Sequence, residues 1–330
     1  MDKDLLTSLA AKLVTDSKGL LAADESTGTI KKRFESVGLT STPELNRKYR
    51  QMLFTSPGIE EFLSGVIMFD ETVRQATDEG VSFPEYLSKL GIIPGIKVDE
   101  GREPFGEKEE VAKGLEGLPG RLPEYKSRGL SFAKWRAPVE IKEAYPSEGM
   151  IEENAKRMAE YALLSQNAGL VPIVEPEVLI DGNHTTTRCE EVTIKVLTVL
   201  FNKLKEKEIN LAGLILKTNM VLPGKDSAVK ALPLEVANST LRAVKKSVPS
   251  EVPGILSLSG GQSPDEATAN LNEINKLKGD APWELSFSFA RALQAEPLEA
   301  WKGKEENVKA AQDAFIKRAR LVSLARQGKL

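Results

Sequence analysis

Short apolar runs rich in β-branched residues, each bounded by Gly, Pro or Asp, alternate along the chain with longer amphipathic stretches. Runs of this length read as strands buried on both faces, and stretches with apolar positions three and four apart read as helices. Eight runs qualify: Leu20–Asp24, Val66–Asp70, Ile92–Asp99, Ser131–Val139, Val171–Glu177, Leu214–Met220, Ile255–Gly260 and Glu284–Ala290. Helix candidates include Ile151–Gln166, Arg188–Lys207, Leu234–Val248, Pro264–Lys276 and Glu306–Arg326. Eight such strands with alternating helices predict an α/β fold, a (β/α)8 TIM barrel closed on itself rather than an open sheet. Glu100–Lys126, rich in Gly, Pro and charge, reads as a long irregular connection over the surface. No composition shift marks a boundary, so residues 1–330 are expected to form a single barrel domain.

Composition narrows the function. The 45 Lys and Arg are scattered among 48 Asp and Glu, for a formal charge of −3, so no basic stripe points to nucleic acid. No segment reaches the ~18 apolar residues of a membrane span, and the N-terminus has no leader pattern, so a cytoplasmic protein without a membrane partner is expected. Cys189 is the lone cysteine, which excludes an internal disulfide. His184 is the lone histidine. A catalytic zinc normally takes two or three His, or Cys with His, so neither a metal nor another cofactor is expected.

Charged residues fall on the buried-pattern strands, toward the ends where a barrel carries its active site. Lys217 closes the apolar run Leu214–Leu216. Burial disfavours an ammonium ion, so a lysine there can present a neutral amine able to attack a carbonyl; the bland alternative is a side chain that snorkels to water. Residues two apart on a strand share a face, so Lys134 with Arg136, and Glu175 with Glu177, can each point a pair into the barrel mouth. A polar layer of ion pairs would explain those four but not Lys217. Asp24 and Lys97 complete the set. Ser259-Gly260-Gly261 follows a strand and precedes a helix at Pro264, a place where backbone N–H groups and a helix N-terminus can hold an anion, with Arg291 after the next strand. Ser26, Thr29, Lys32 and Arg33 form a second, hydroxyl-rich and basic helix start, readable as a plain cap.

The segments AADESTGTIKKR (22–33), GIKVDEG (95–101), FAKWR (132–136), PIVEPEVLIDGNH (172–184), LILKTNMVLPG (214–224), LSGGQSPDEATANLN (258–272) and ALQA (292–295) together resemble the class I, metal-independent, Schiff-base fructose-1,6-bisphosphate aldolase family. The resemblance implies reversible cleavage of fructose 1,6-bisphosphate to dihydroxyacetone phosphate and glyceraldehyde 3-phosphate by a homotetrameric barrel acting on sugar phosphates. By that match Lys217 forms the imine, Glu175 is its general acid/base with Glu177 in support, and Asp24 takes the C4-hydroxyl proton. Lys134 keeps Glu175 and the carbinolamine correctly charged. Arg136 and Lys97 line the substrate path. Ser259, Gly260, Gly261 and Arg291 match the C1-phosphate site, and Ser26, Thr29, Lys32 and Arg33 the C6-phosphate region.

This sequence departs from the family pattern in three places. Thr218 stands where many members have proline, and Phe289-Ala290-Arg291 where Tyr-Gly-Arg is common. Relatives often continue into a tail ending in a tyrosine that exchanges the C3 proton; the sequence here stops at Leu330, and slow carbanion protonation is the expectation that follows.

Overall fold

The computed structural model describes residues 2–330. Its strands are β1 (Gly19–Ala23), β2 (Leu63–Met68), β3 (Ile93–Lys97), β4 (Arg102–Phe105), β5 (Glu109–Ala112), β6 (Phe132–Val139), β7 (Val171–Val178), β8 (Ile215–Thr218), β9 (Gly254–Ser257) and β10 (Glu284–Phe289). Eight of them close into a parallel barrel in the order β1-β10-β9-β8-β7-β6-β3-β2, and these are the eight expected runs, displaced by a few residues at their ends. The helices Glu148–Asn167, Thr186–Glu206, Pro233–Ser247, Pro264–Leu277 and Val308–Arg326 lie where the amphipathic periodicity places them.

The segment expected to be irregular is not. Within it β4 and β5 pair antiparallel, Phe105 opposite Glu109, around a turn in which Gly106 takes φ +65°. A helix, Leu118–Ser127, follows it. Glycine supplies that turn without strain, and Val111 and Ala112 are buried while Arg102 and Pro104 stay exposed. A two-stranded ribbon buried on one side carries too short an apolar pattern to stand out from its charged neighbours.

Alternation along the strands separates two cores. Leu20, Ala22, Ile67, Phe132, Ile173, Ile215 and Leu256 fill the barrel interior, while Leu21, Ala23, Ala133, Trp135, Val174 and Leu216 face the helical ring. The interior cluster includes Leu6, Ala10 and Leu13 of the N-terminal helix Lys3–Leu13, which stoppers the end of the barrel opposite the strand C-termini. Close approach requires small residues beneath it: a side chain at Gly65 would begin 3.0 Å from Leu13, and one at Gly213 2.9 Å from Leu6.

Leu13 is fully buried in this stopper. Leu13→Ala should lower unfolding free energy by about 2–5 kcal/mol, read as a fall in the urea midpoint. A loss below about 1 kcal/mol would mean that the helix is not packed into the barrel.

Candidate active site

Asp24 and Glu25 follow the last residue of β1, Lys97 ends β3, Lys134 and Arg136 sit on β6, Glu175 and Glu177 on β7, and Lys217 on β8. Strand register sets them side by side, Lys97 opposite Lys134 and Arg136 opposite Glu175. Every candidate site residue named from the sequence lines one cavity of about 1250 Å³ at this mouth, from Ser26, Thr29, Lys32 and Arg33 on one side to Ser259, Gly260, Gly261 and Arg291 on the other.

The centre of the cavity floor is a chain of ion pairs. Lys217 Nζ lies 2.8 Å from Glu175 Oε1. The other oxygen of Glu175 lies 3.1 Å from Lys134 Nζ, which stands 2.7 Å from Asp24 Oδ2 and 3.8 Å from Asp99 Oδ2. Asp99 also accepts the Arg136 backbone N–H at 3.1 Å and pairs with Lys97 at 2.6 Å, while Arg136 Nε donates to Glu177. Lys134, Glu175 and Lys217 are each at most 4% exposed at the side chain. The apolar surroundings expected for Lys217 are therefore absent at its amine. Its stem is buried among strands, but its nitrogen meets a carboxylate, a partner that a local apolar pattern does not reveal.

Charge density governs protonation here. Burial pushes Asp24 up, but Lys134, Lys217 and Lys97 outweigh it and hold the carboxyl far below its usual range. Glu175 is lowered in the same way: burial opposes ionisation, and Lys134, Lys217 and Arg136 overcome it. Burial would strip Lys134 of its proton, yet Asp24, Glu175 and Asp99 raise it well above the ordinary lysine range. The resting site is therefore a fixed ammonium between two carboxylates, one of them at ion-pair distance from a second lysine. That arrangement gives Lys217 a proton acceptor at contact distance, and the carboxylate of Asp24 can act as a base toward a hydroxyl in the cavity.

Two groups of polar donors, one at each end of the cavity, flank this floor. Gly260 and Gly261 take φ +43° and +88°, and a side chain on them would begin 2.8 Å from Leu258 and 2.7 Å from Ile180, so only glycine fits this loop. Their N–H groups have no protein acceptor among the described residues. The N-terminus of the following helix, expected to share this role, is partly satisfied from within the protein. Ser263 and Glu266 close the Pro264 helix with a reciprocal capping box, Glu266 N to Ser263 Oγ at 3.2 Å and Ser263 N to Glu266 Oε2 at 2.9 Å. The open helix end is instead that of Arg291–Trp301, whose N-cap Ala290 makes no side-chain cap bond. Across the cavity, Ser26 does not cap its helix either; its hydroxyl lies 3.1 Å from that of Thr29. Both open ends suit anions.

Asp99 and Glu25 were not among the residues expected at the site. Asp99 ends an expected strand just as the chosen residues do, so the same rule would have found it. Glu25 follows Asp24, but its partners Arg50 and Gln294 lie 25 and 269 positions away and leave no local mark. Among the described residues no group of three or more His, Cys, Asp and Glu is placed to hold a metal ion; lysine amines occupy the space between the carboxylates.

A closed barrel with acid, base and amine groups at the C-terminal mouth is the architecture of a (β/α)8-barrel enzyme. A family model described as "Fructose-bisphosphate aldolase class-I" matches residues 5–330. The chain belongs to the class I fructose-bisphosphate aldolase family. It is 48% identical over 325 residues to "Fructose-bisphosphate aldolase 4, cytosolic" of Arabidopsis thaliana, covering 98% of this chain and 83% of the relative. It is 47% identical over 332 residues to "Probable fructose-bisphosphate aldolase class 1" of Xanthomonas campestris pv. campestris, covering 100% and 99%. The solved fructose-bisphosphate aldolase of Plasmodium falciparum, in ternary complex with TRAP and a small-molecule inhibitor, superposes with a TM-score of 0.97 at 45% identity, covering 99% of this chain and 95% of that one.

Asp24 and Glu175 have lowered values in the fold, so their stabilising contribution is fully present above the ordinary carboxylate range of about 4 and is lost as pH falls below it toward those values. Asp24→Asn should therefore flatten the acid-side decline of the urea midpoint. An unchanged slope would mean that Asp24 is not held as a buried carboxylate.

Proposed function

We propose that the protein cleaves fructose 1,6-bisphosphate reversibly into dihydroxyacetone phosphate and glyceraldehyde 3-phosphate through an imine on Lys217. The observation that carries this reading is the contact of Lys217 Nζ with Glu175 Oε1 at 2.8 Å on the floor of a cavity that has an anion-binding end on either side. Family membership and the printed names of the relatives support the substrate class.

The steps follow from the ionic state of the site. Glu175, a carboxylate at rest, takes the ammonium proton of Lys217, and the freed amine adds to the C2 carbonyl to give a carbinolamine. When Lys217 gives up its positive charge, Glu175 loses one of the cations that kept it ionised, so the proton it has taken is held more firmly than it would be at rest. It then protonates the carbinolamine hydroxyl, water leaves, and the positively charged imine forms beside a restored carboxylate. Asp24 takes the proton of the C4 hydroxyl, the C3–C4 electron pair flows to the imine, and the aldehyde departs from the resulting enamine. Protonation at C3 and the reverse of the imine chemistry release the ketone. Lys134 keeps its charge throughout and holds Asp24 and Glu175 at 2.7 and 3.1 Å.

Arg291, with Ser259, Gly260 and Gly261, receives the phosphate next to the reacting carbonyl, and Ser26, Thr29, Lys32 and Arg33 receive the far one. Lys97 and Arg136, folded onto Asp99 and Glu177, form the charged wall between them. On the same reading the chain works as a homotetramer in the cytoplasm. Support for the location is that relatives are named cytosolic or cytoplasmic, and that among the described residues no helix is long and apolar enough to cross a membrane.

Borohydride reduction in the presence of dihydroxyacetone phosphate should leave a stable secondary amine on Lys217, located by peptide mass mapping. Lys217→Met should fold, since it keeps an apolar stem of similar length, and should neither cleave the bisphosphate nor take the label. An adduct on another lysine would overturn the assignment.

A further inference from the structure

Behind Asp24 lies a buried carboxylate that the chemistry above does not use. The side chain of Glu25 is 3% exposed, and both of its oxygens are engaged. Oε2 accepts from Arg50 Nη2 at 2.6 Å; Oε1 accepts from Gln294 Nε2 at 3.0 Å and from Arg33 Nη1. Gln294 donates also to the Ala22 carbonyl at 2.8 Å and accepts from Arg50 Nη1 at 3.3 Å. Burying an ion pair gives little net stability over apolar packing, so a network this complete calls for a role other than holding the fold together.

Two of its members, Arg33 and Gln294, lie on the helices that carry the two anion-binding ends. Arg33 is on the helix Thr27–Glu35, whose start bears the paired Ser26 and Thr29 hydroxyls. Arg33 lines the cavity and gives only Nη1 to Glu25, so its Nε and Nη2 have no protein acceptor among the described residues. Gln294 stands three residues after Arg291 on the helix whose open N-terminus forms the opposite end. Arg50, 1% exposed at its side chain and on the helix Pro43–Phe54, braces both.

Resting on the bisphosphate reading, we propose that Glu25 is a positioning residue that makes the site read substrate length. It holds Arg33 as the clamp for the phosphate remote from the reacting carbonyl, and through Gln294 it ties that clamp to the helix that binds the near phosphate, so the two anion sites keep one spacing. A substrate with a single phosphate beside the carbonyl uses Lys217, Asp24 and the Arg291 end but not the clamp, and is indifferent to it.

The test is steady-state cleavage of fructose 1,6-bisphosphate and fructose 1-phosphate by Glu25→Gln. Losing a fixed charge-assisted contact to phosphate should lower the ratio of kcat/KM for the bisphosphate over the 1-phosphate by roughly ten- to a hundredfold, mainly through KM for the bisphosphate. Cleavage of the 1-phosphate should stay near wild type. Because Glu25→Gln leaves Arg50 buried without its counter-charge, the double variant Glu25→Gln/Arg50→Met, which removes both charges, is measured in parallel and should show the same fall in the ratio. Equal losses on both substrates, or an unchanged ratio in the folded double variant, overturn the proposal. The wild type keeps the two claims apart: failure to cleave either ketose phosphate sinks the aldolase reading, whereas a wild-type preference for the bisphosphate with no change in the variants sinks only the role of Glu25.

Discussion

The ammonium of Lys134 is the constraint on which the barrel mouth depends. Asp99, Glu175, Glu177, Lys134 and Lys217 are buried there, and Asp24, Lys97 and Arg136 partly so, four charges of each sign. Removing such ions from water costs several kcal/mol each, so no carboxylate could remain ionised without its cations. Lys134 reaches three of the four carboxylates, and it is the group through which Asp24 on β1 and Glu175 on β7 are held in one geometry. Remove it and two carboxyl groups are left facing a single lysine. Glu175 would then have only Lys217 and Arg136 to offset its burial.

The rest of the fold makes that cluster possible. Inward-facing Leu20, Ala22, Phe132, Ile173, Ile215 and Leu256 form the apolar interior immediately below it, and the N-terminal helix closes the far end. Water thus reaches the charges only from the cavity side. The low local dielectric strengthens each ion pair and equally penalises any break in it, so protonation at one carboxyl is felt at the others. Catalytic roles can pass along such a cluster without movement of its backbone.

Much of this was legible because strands buried on both faces have a strong signature, and a charged side chain on one stands out. The pairs Lys134/Arg136 and Glu175/Glu177 could be assigned to one face from the two-residue period, and both pairs line the cavity. Part of what escaped notice depends on contacts between distant segments. The amine of Lys217 could not be seen to meet Glu175, which lies 42 positions earlier on the neighbouring strand. Nor could the Glu25 network, with Gln294 and Arg50 on separate helices 244 positions apart, be anticipated. At Ser263 a capping box meets two of the helix's N-terminal N–H groups from within, and the helix end without a side-chain cap lies at Arg291. The β4–β5 hairpin was hidden by charge and by short strands.

The central claim is that Lys134 keeps Glu175 ionised in the resting protein, within contact distance of Lys217. The most direct measurement is the titration of the Glu175 side-chain carboxyl by carbon-13 NMR, assigned by the loss of its signal in Glu175→Gln. In the wild type it should titrate below the ordinary glutamate value of about 4.3, and in Lys134→Met it should titrate at higher pH. A wild-type midpoint at or above the ordinary value, or a midpoint unmoved by Lys134→Met, would contradict the account.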